Sequence, residues 1–419
     1  MCCISMLFNR QLGMLMLSVF SIVSALAGCS LREIQQQTQE VANVGYIKGK
    51  IKVESDERGA IVVLRFRDDN GIPVKESSII ASENGEYTFP VTPGPHYIAA
   101  FIDANNDNKY QEEEHGNYHG HPTIIDVPPK QTVTIDPIVI KGKVLKPDTE
   151  VRSVEKTKAV WRNIGEVVTM DDPRFTQDNY DMGLWKPADF LDHAEGGLLF
   201  LQEYQQGKMP VIFVHGVLGG PTNFRNVIQS LDMRYFQPWV LYYPSGLRLD
   251  MISYYLVEAV EQLQNKYGFN QFYVVAHSMG GLVARSFVKK YVERSPDNVN
   301  KLGLVMTINS PMNGMSAAAS GVKHSPIVVP SWLDVEPGSK FLKGIHSWNW
   351  PKEIPYHLVI SYTDGESGDD VVPLQSQSQP KLQSESTRMY IFNNDHVGTL
   401  SDKGFLQLFN MILSERLEN

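Results

Sequence analysis

The stretch Phe272-Tyr-Val-Val-Ala-His-Ser278-Met-Gly-Gly-Leu-Val283 decides the fold. Residues 272–276 form a continuous apolar run, which is typical of a strand covered on both faces of a sheet. Residues 282–292 follow with apolar side chains at helical spacing. A serine in a sharp turn between strand and helix needs small neighbours two places away, and Ala276 and Gly280 provide them. We therefore predict a strand, turn and helix with Ser278 as a candidate nucleophile.

The chain around this turn alternates between strand-like and helix-like segments. Between residues 256 and 267 the apolar residues recur at helical spacing and stop at Gly268, which predicts a crossover helix. This alternation predicts a doubly wound, mostly parallel α/β sheet over residues 161–419. The other strands predicted in this region are residues 197–204, 211–214, 239–243, 302–308, 356–362 and 389–392.

With this turn, the region from about residue 159 onward resembles the α/β-hydrolase superfamily, particularly its lipases and esterases. It departs from their commoner Gly-x-Ser-x-Gly motif at Ala276. A second likeness is Val211-Ile-Phe-Val-His-Gly-Val-Leu-Gly-Gly220, where glycines after a buried strand let backbone amides approach a reacting carbonyl. The resemblance implies that the amides of Val217 and Met279 form an oxyanion hole.

The superfamily places an acidic residue after the serine and a histidine after the acid. The loop after strand 356–362 contains Asp364, Asp369 and Asp370. Superfamily members often carry Asp-x-apolar-Val-Pro here, and that register favours Asp369 over the other two. Adjacent Asp395 cannot easily place its carboxylate on the far ring nitrogen of His396, which is the predicted base.

His396 follows the last predicted strand, in Asn393-Asn-Asp-His-Val-Gly398. The other histidines of this region fit the role less well. His357 lies inside a predicted strand and is expected in the core, His277 is fixed in the turn, and His215 is expected to support the oxyanion loop. Ser278, His396 and Asp369 would together cleave a carboxylic ester through an acyl-enzyme. This chemistry needs no cofactor.

Two alternatives stay open on the sequence alone. The same three residues serve an acyltransferase or a thioesterase, since the sequence does not show which molecule attacks the acyl-enzyme. A catalytically silent cell-surface binding module on a hydrolase scaffold is the alternative of another class. The long segment between strands 302–308 and 356–362 contains Trp332, Trp348 and Trp350, which suit either a lid over an apolar substrate or plain core.

Residues 1–28 have the features of an export signal. Arg10 precedes an apolar stretch at residues 12–26, which is short for a membrane span. Leu26-Ala-Gly-Cys29 resembles the lipobox of bacterial lipoproteins, which implies cleavage before Cys29 and lipidation of its thiol. Ser30 fits the sorting of such lipoproteins to the outer membrane. Residues 29–44 are polar and predict a lipidated tether without a fold of its own.

Residues 45–143 change to short alternating strands separated by Asn-Gly and Pro-Gly turns, which predicts a small β-sandwich. Residues 85–97 resemble carboxypeptidase-regulatory or transthyretin-like domains. Residues 144–160 are charged and predict a linker. The predicted strands of the sandwich are residues 46–53, 60–67, 87–91, 97–102 and 132–140.

A candidate calcium loop lies within this β-sandwich. Asp103, Asn105, Asp107 and Glu114 stand at positions 1, 3, 5 and 12 of the loop, with the backbone carbonyl of Lys109 at position 7. Asn108 replaces the usual glycine, and no flanking helices are predicted. A solvated polar turn is the alternative. The nearby histidines 115, 119 and 121 are expected to be unrelated to a metal site.

The composition excludes nucleic acid as the expected partner. The net charge is −9, and no block of Lys or Arg occurs beyond short pairs. The expected partners are an ester or lipid substrate and the membrane that holds the anchor. The oligomeric state is not predicted.

Overall fold

The computed structural model describes residues 32–36, 38–39, 43–69, 72–120, 123–143 and 163–415. The predicted export signal, Cys29 and the predicted linker lie outside these ranges. Among the described residues, no helix is both long enough and apolar enough to cross a bilayer.

Residues 45–140 form two β-sheets that share one buried core. Strands β4, β1 and β8 are neighbours in the first sheet, where β9 also pairs with β1; β3, β2, β5 and β6 are neighbours in the second, where β7 pairs with β5. Ile47 and Phe89 of the first sheet pack with Val63 and Ile98 of the second. The strands are β1 Gly45–Val53, β2 Ala60–Asp69, β3 Ile72–Ile80, β4 Glu86–Val91, β5 Gly94–Asp103, β6 Gly116–Tyr118, β7 Ile125–Val127, β8 Thr132–Thr134 and β9 Ile138–Ile140.

Two sequence predictions for this unit need correction. The single strand predicted at residues 132–140 is two short strands, both parallel to β1, with Pro137 in the gap between them. Proline has no N–H to donate to a ladder, so it interrupts the strand. Strand β3 was not predicted, because its Lys-Glu-Ser-Ser sequence lacks a clear apolar alternation.

The predicted tether is also not free of structure. Residues 32–36 form a helical turn, and Glu33 makes an ion pair with Lys186, whose Nζ lies 2.6 Å from Glu33 Oε2. Tyr46, in the first strand, donates its hydroxyl to Asp250 at 3.2 Å. Residues 32–36 and the start of β1 therefore contact the part of the chain that follows residue 163.

Residues 163–415 form an eight-stranded sheet covered by helices. Its order is β10-β11-β13-β12-β14-β15-β16-β17, and all neighbours are parallel except β11 and β13. Strands β13 and β14 are buried at every residue, as expected for strands covered on both faces. The strands are β10 Asn163–Val167, β11 Gly197–Phe200, β12 Met209–Val214, β13 Phe236–Tyr242, β14 Phe272–His277, β15 Leu302–Ile308, β16 Tyr356–Tyr362 and β17 Arg388–Asn393.

The connecting helices bury one apolar face against this sheet. The helix at Leu249–Tyr267 buries Ile252, Leu256, Val260 and Leu263 and ends at Gly268, whose φ of 66° closes the last turn. The helices are α1 Gln177–Trp185, α2 Pro187–His193, α3 Arg225–Ser230, α4 Leu249–Tyr267, α5 Met279–Arg294, α6 Ser316–His324, α7 Trp332–Val335, α8 Lys340–His346, α9 Leu374–Gln377, α10 Pro380–Glu385 and α11 Lys403–Glu415.

Helices α4 and α5 contact residues 45–140, which we call the β unit. Gln262 donates to the carbonyl of Ser78 at 2.5 Å, and Arg294 donates to the carbonyl of Ile80. Asn265 donates to the carboxylate of Asp103 at 2.9 Å. These are polar contacts between a helix surface and loops or strand ends of the β unit.

The candidate calcium loop is closed by its own hydrogen bonds. Asp103 is fully buried, and its carboxylate accepts the amides of Asp107 at 3.2 Å and Asn108 at 2.9 Å. Glu114 accepts the amides of Ala104 and Gln111. Within the described ranges, no three His, Cys, Asp or Glu side chains are grouped to hold a metal ion.

The remaining residues of this loop also make local contacts. Asn105 and the carboxylate of Asp107 accept backbone amides of the loop, including that of Lys109 at 2.7 Å. His115 lies 2.5 Å from Ser55 Oγ, and His121 lies outside the described residues. The calcium hypothesis thus gains no support from this geometry, which instead gives Asp103 a structural role.

We predict that Asp103→Ala destabilises the protein by about 2 kcal/mol, because three donors lose the buried carboxylate that accepts their part-buried hydrogen bonds. Thermal and urea unfolding, each with calcium and with chelator, measures this loss, which should be equal in both conditions. Asp107→Ala is the matched control, since its carboxylate is exposed, and a much smaller effect is expected. A loss seen only with calcium present would contradict this role and support the calcium site.

Candidate active site

Ser278 occupies the turn between β14 and α5 in a strained conformation. Its φ and ψ are 55° and −133°, a region that a non-glycine residue rarely adopts. The Ser278 amide donates to the carbonyl of Ile308 at 2.9 Å, which ties the turn to the neighbouring strand β15. The strained turn and this hydrogen bond together hold the Ser278 hydroxyl at the carboxyl edge of the sheet.

The turn lies very close to the end of β12. A Cβ on Gly280 would stand 2.3 Å from the carbonyl oxygen of Val214 and 2.4 Å from that of His215. A Cβ on Gly216 would stand 2.6 Å from the Cβ of Ser278. The approach of β12 therefore requires a glycine at position 280.

Ser278, His396 and Asp369 form one hydrogen-bonded chain. The serine Oγ lies 2.9 Å from His396 Nε2, and His396 Nδ1 lies 2.7 Å from Asp369 Oδ2. Ser278 and His396 expose only 6% and 8% of their surface, and Asp369 exposes none. Three residues far apart in the sequence thus meet because β14, β16 and β17 end at the same sheet edge.

The three candidate acids have different hydrogen-bond partners in the structure. The second oxygen of Asp369 accepts the amides of Val371 at 3.1 Å and Val372 at 2.6 Å, so its carboxylate is fixed towards His396. Asp370 instead accepts from Thr363, and Asp364 accepts from Asn393.

Asp395 is placed away from the histidine ring as well. Its carboxylate accepts the amides of Val397 and Gly398 and shapes the loop that carries His396. Asp369 is therefore the carboxylate that contacts the His396 ring within the described part of the chain.

The backbone of His396 is held by two side chains that the sequence analysis did not single out for this task. His277 Nε2 donates to the His396 carbonyl at 2.8 Å, and Asn309 Nδ2 donates to the same oxygen at 3.0 Å. Burial, followed by the nearby His396, lowers the pKa of His277 to about 3. His277 therefore stays neutral and keeps its N–H donor. Its position next to Ser278 was the only sequence signal for this role.

The two predicted oxyanion amides have no protein acceptor in the described part of the chain. Met279 is the first residue of α5, so its amide has no carbonyl within the helix. Val217 lies in the loop after β12, which is fixed by a bond from the Leu218 amide to Ser245 Oγ at 3.2 Å. Within the described residues, both amides are thus available to donate to a bound ligand.

His215 supports this loop, as the sequence analysis expected. Its ring stacks on Tyr243 with centroids 4.1 Å apart, and the Tyr243 hydroxyl donates to the His215 carbonyl at 2.5 Å. Burial lowers the pKa of His215 to about 4, so it is neutral near pH 7. His357, also as expected, is buried and stacks on Tyr390.

The tryptophan-containing segment after β15 is mostly packed structure. Trp350 is buried against Tyr356, and Trp348 packs on Trp350. Trp332 is half-buried and packs edge-on against Trp185, with ring centroids 5.8 Å apart. Trp350 therefore belongs to the core, and Trp348 and Trp332 are partly buried side chains packed against that core.

Comparisons with known proteins agree with this fold. Residues 248–394 match the family model described as "Alpha/beta hydrolase of unknown function (DUF915)". No curated protein sequence matches the chain.

Several solved structures are similar to the chain at low sequence identity. The mature lipase BlEst2 of Bacillus licheniformis is 14% identical, with a TM-score of 0.41 over 51% of this chain and 94% of that chain. The lin2722 gene product of Listeria innocua is 16% identical, with a TM-score of 0.39 over 49% of this chain and 94% of that chain. Phospholipase PlaB of Legionella pneumophila, in complex with thio-NAD, is 19% identical, with a TM-score of 0.35 over 41% of this chain and 45% of that chain.

The strand order, the turn at Ser278 and the family match lead to one conclusion. Residues 163–415 have the α/β-hydrolase fold, and residues 248–394 within them match the α/β-hydrolase family model.

Proposed function

We propose that this protein is a membrane-anchored serine hydrolase that cleaves carboxylic esters. The observation that carries the proposal is the hydrogen-bonded chain from Ser278 through His396 to Asp369, with Ser278 in a strained turn. This arrangement provides a nucleophile, a base and a residue that orients the base. The anchor is the lipidated Cys29 expected from the sequence, at a bacterial envelope and in its outer membrane.

The first half of the reaction forms an acyl-enzyme. His396 Nε2 takes the hydroxyl proton of Ser278 as its oxygen attacks the ester carbonyl. Asp369 keeps the Nδ1–H tautomer of His396 and stabilises the imidazolium that forms. The negative oxygen of the tetrahedral intermediate accepts hydrogen bonds from the amides of Val217 and Met279. Each such donor stabilises the transition state by roughly 2.7 to 4 kcal/mol. The imidazolium then protonates the leaving alcohol.

The second half releases the acid. Water enters the place of the alcohol, and His396 takes its proton as the water oxygen attacks the acyl carbonyl. Collapse of the second tetrahedral intermediate returns the proton to Ser278 and frees the carboxylic acid. Each bond formed and broken is accounted for by these residues and water.

His277 and Asn309 are positioning residues in this scheme. Both donate to the His396 carbonyl, so they fix the loop that sets the ring 2.9 Å from Ser278. Because His277 is neutral, it adds no positive charge beside the imidazolium. A charged side chain at this position would oppose the formation of the imidazolium.

The role of Asp369 can be tested by removing its charge. Asp369→Asn removes the negative charge beside the His396 ring and should lower kcat/KM for short nitrophenyl esters by about 10²–10⁴-fold. Asp370→Asn is the matched control, since Asp370 is one residue away and does not contact the ring, and it should change the rate less than about threefold. Equal effects of the two substitutions would contradict the assignment.

The experiment that tests the proposal is hydrolysis of a panel of acyl esters and phospholipids by the parent chain and by Ser278→Ala. The parent should release acid, and the variant should lose at least about 10³-fold in kcat. An alcohol added in competition with water reports the acceptor, and ester product in excess of acid would identify an acyltransferase instead. Full activity of Ser278→Ala would overturn the proposal.

A pH-dependent stability loss is predicted from His277. Its folded pKa of about 3 lies below the ordinary value of 6.5, so the unfolded chain binds a proton that the folded chain excludes. The contribution of neutral His277 to the free energy of unfolding is fully present above pH 6.5. It is lost as the pH falls towards 3, at roughly 1.4 kcal/mol per pH unit. His277→Asn should lower by about one the number of protons taken up on unfolding, which is the quantity that the slope of the unfolding free energy against pH reports.

Urea unfolding at several pH values between 4.5 and 7 measures this slope. His324→Asn is the control, because His324 is exposed and its substitution should leave the slope unchanged. A slope in His277→Asn that equals the parent's would contradict a buried neutral His277.

A further inference from the structure

Four exposed apolar side chains border the candidate active site. Val217, Leu218, Val371 and Val397 expose 40–51% of their surface, and we call them the rim. Val217 and Leu218 lie in the oxyanion loop, Val371 follows Asp369 by two residues, and Val397 follows His396 directly. The rim therefore lies at the carboxyl edge of the sheet, where the loops after β12, β16 and β17 meet.

The rim is connected to a pair of tryptophans by a short series of contacts. The Leu218 amide donates to Ser245, and the next residue, Gly246, donates to the carbonyl of Gly183 at 2.9 Å. Trp185 follows in the same helix, α1, exposes 39% of its surface and packs on Trp332. Tryptophan is the residue preferred where an apolar phase meets water.

The N-terminal segment reaches the same edge. Lys186, directly after Trp185, is the residue that pairs with Glu33 at 2.6 Å. Cys29 precedes Glu33 by four residues, a length of chain that spans at most about 14 Å. If Cys29 carries the lipid, this chain length keeps the bilayer within about 14 Å of Glu33, on the side of the molecule where Lys186 and Trp185 lie.

We propose that the rim and Trp185 form a docking surface for the bilayer that holds the anchor, so that the enzyme takes its ester substrate from that same bilayer. This rests on the proposed function for the substrate class, and on the contacts above for the surface. Apolar side chains that enter the acyl boundary would place the Ser278 opening at the lipid headgroups. The lipid anchor and the rim would then contact the same bilayer, and neither would need to keep the protein on the membrane alone.

The opposite edge of the sheet offers a matched control. Met233 and Tyr235 expose 37% and 48% of their surface, so they resemble the rim in exposure. They precede Phe236, the first residue of β13, and therefore lie at the amino ends of the strands. A bilayer at the carboxyl edge would not contact them.

The first experiment measures binding of residues 30–419 to vesicles of phosphatidylcholine by sedimentation. This chain lacks the anchor and keeps every described residue, and neutral lipid removes net charge attraction. Leu218→Asn with Val397→Asn should lower the partition coefficient by about tenfold, while Met233→Asn with Tyr235→Asn should change it less than about twofold. Asparagine tolerates the left-handed φ of 53° at position 218.

Equal effects of the two pairs, or no vesicle binding by the parent, would overturn the docking surface. Self-association that is lost in the rim variant, with vesicle binding unchanged, would identify a second copy of the chain as the occupant and would also overturn it. Since sedimentation requires no turnover, failure of the proposed ester hydrolysis would be seen separately, in the rate with soluble esters.

The second experiment tests the position of the anchor with the lipidated full-length product in vesicles. Lys186→Glu breaks the pair with Glu33 and should lower the hydrolysis of lipid in the same vesicle several-fold relative to a soluble ester. Glu33→Lys combined with Lys186→Glu restores opposite charges and should restore that ratio. A ratio that is the same in all three proteins would contradict the proposed role of this ion pair.

Discussion

The close approach between the turn at Ser278 and the end of β12 is the constraint on which the candidate site depends. Carbonyl oxygens of Val214 and His215 stand where a Cβ on Gly280 would be, and Gly216 packs on the Cβ of Ser278. The same turn carries the positive φ of 55° at Ser278. This packing contact thus fixes the turn that contains Ser278 against the loop after β12.

The remaining parts of the site are attached to this contact by the parallel sheet. Strands β14, β16 and β17 run in the same direction, so the loops that carry Ser278, Asp369 and His396 leave at one edge. Backbone amides then fix the carboxylate of Asp369, and His277 and Asn309 fix the carbonyl of His396. His277 is buried and neutral, so it donates to His396 without adding a positive charge beside its ring.

Much of this arrangement could be predicted from the sequence, because it depends on local patterns. Strand 302–308 and strand 356–362 were predicted with the bounds observed, since continuous apolar runs mark strands covered on both faces. Strand β10 was missed because Asn-Ile-Gly-Glu-Val is short and lies at the edge of the sheet. Chain order and the Val-Pro register favoured Asp369, which is the carboxylate found on His396.

Contacts between distant parts of the chain could not be predicted in this way. Nothing in a polar, Gln-rich segment indicates that Glu33 pairs with Lys186, or that Asp103 accepts from Asn265 of a helix in the other unit. The ligand spacing of residues 103–114 suggests calcium, and the oxygens of Asp103 and Glu114 also accept backbone amides of the loop. Spacing alone does not distinguish these two uses of a carboxylate.

The most direct test of the central claim is covalent labelling of the parent chain with a fluorophosphonate, followed by mass analysis of the modified peptide. An activated serine with a base and an oxyanion hole should take up one label per chain, at Ser278, and the Asp369→Asn variant should react far more slowly. Absence of labelling at Ser278, or equal labelling of several serines, would contradict the assignment of Ser278, His396 and Asp369 as a catalytic unit.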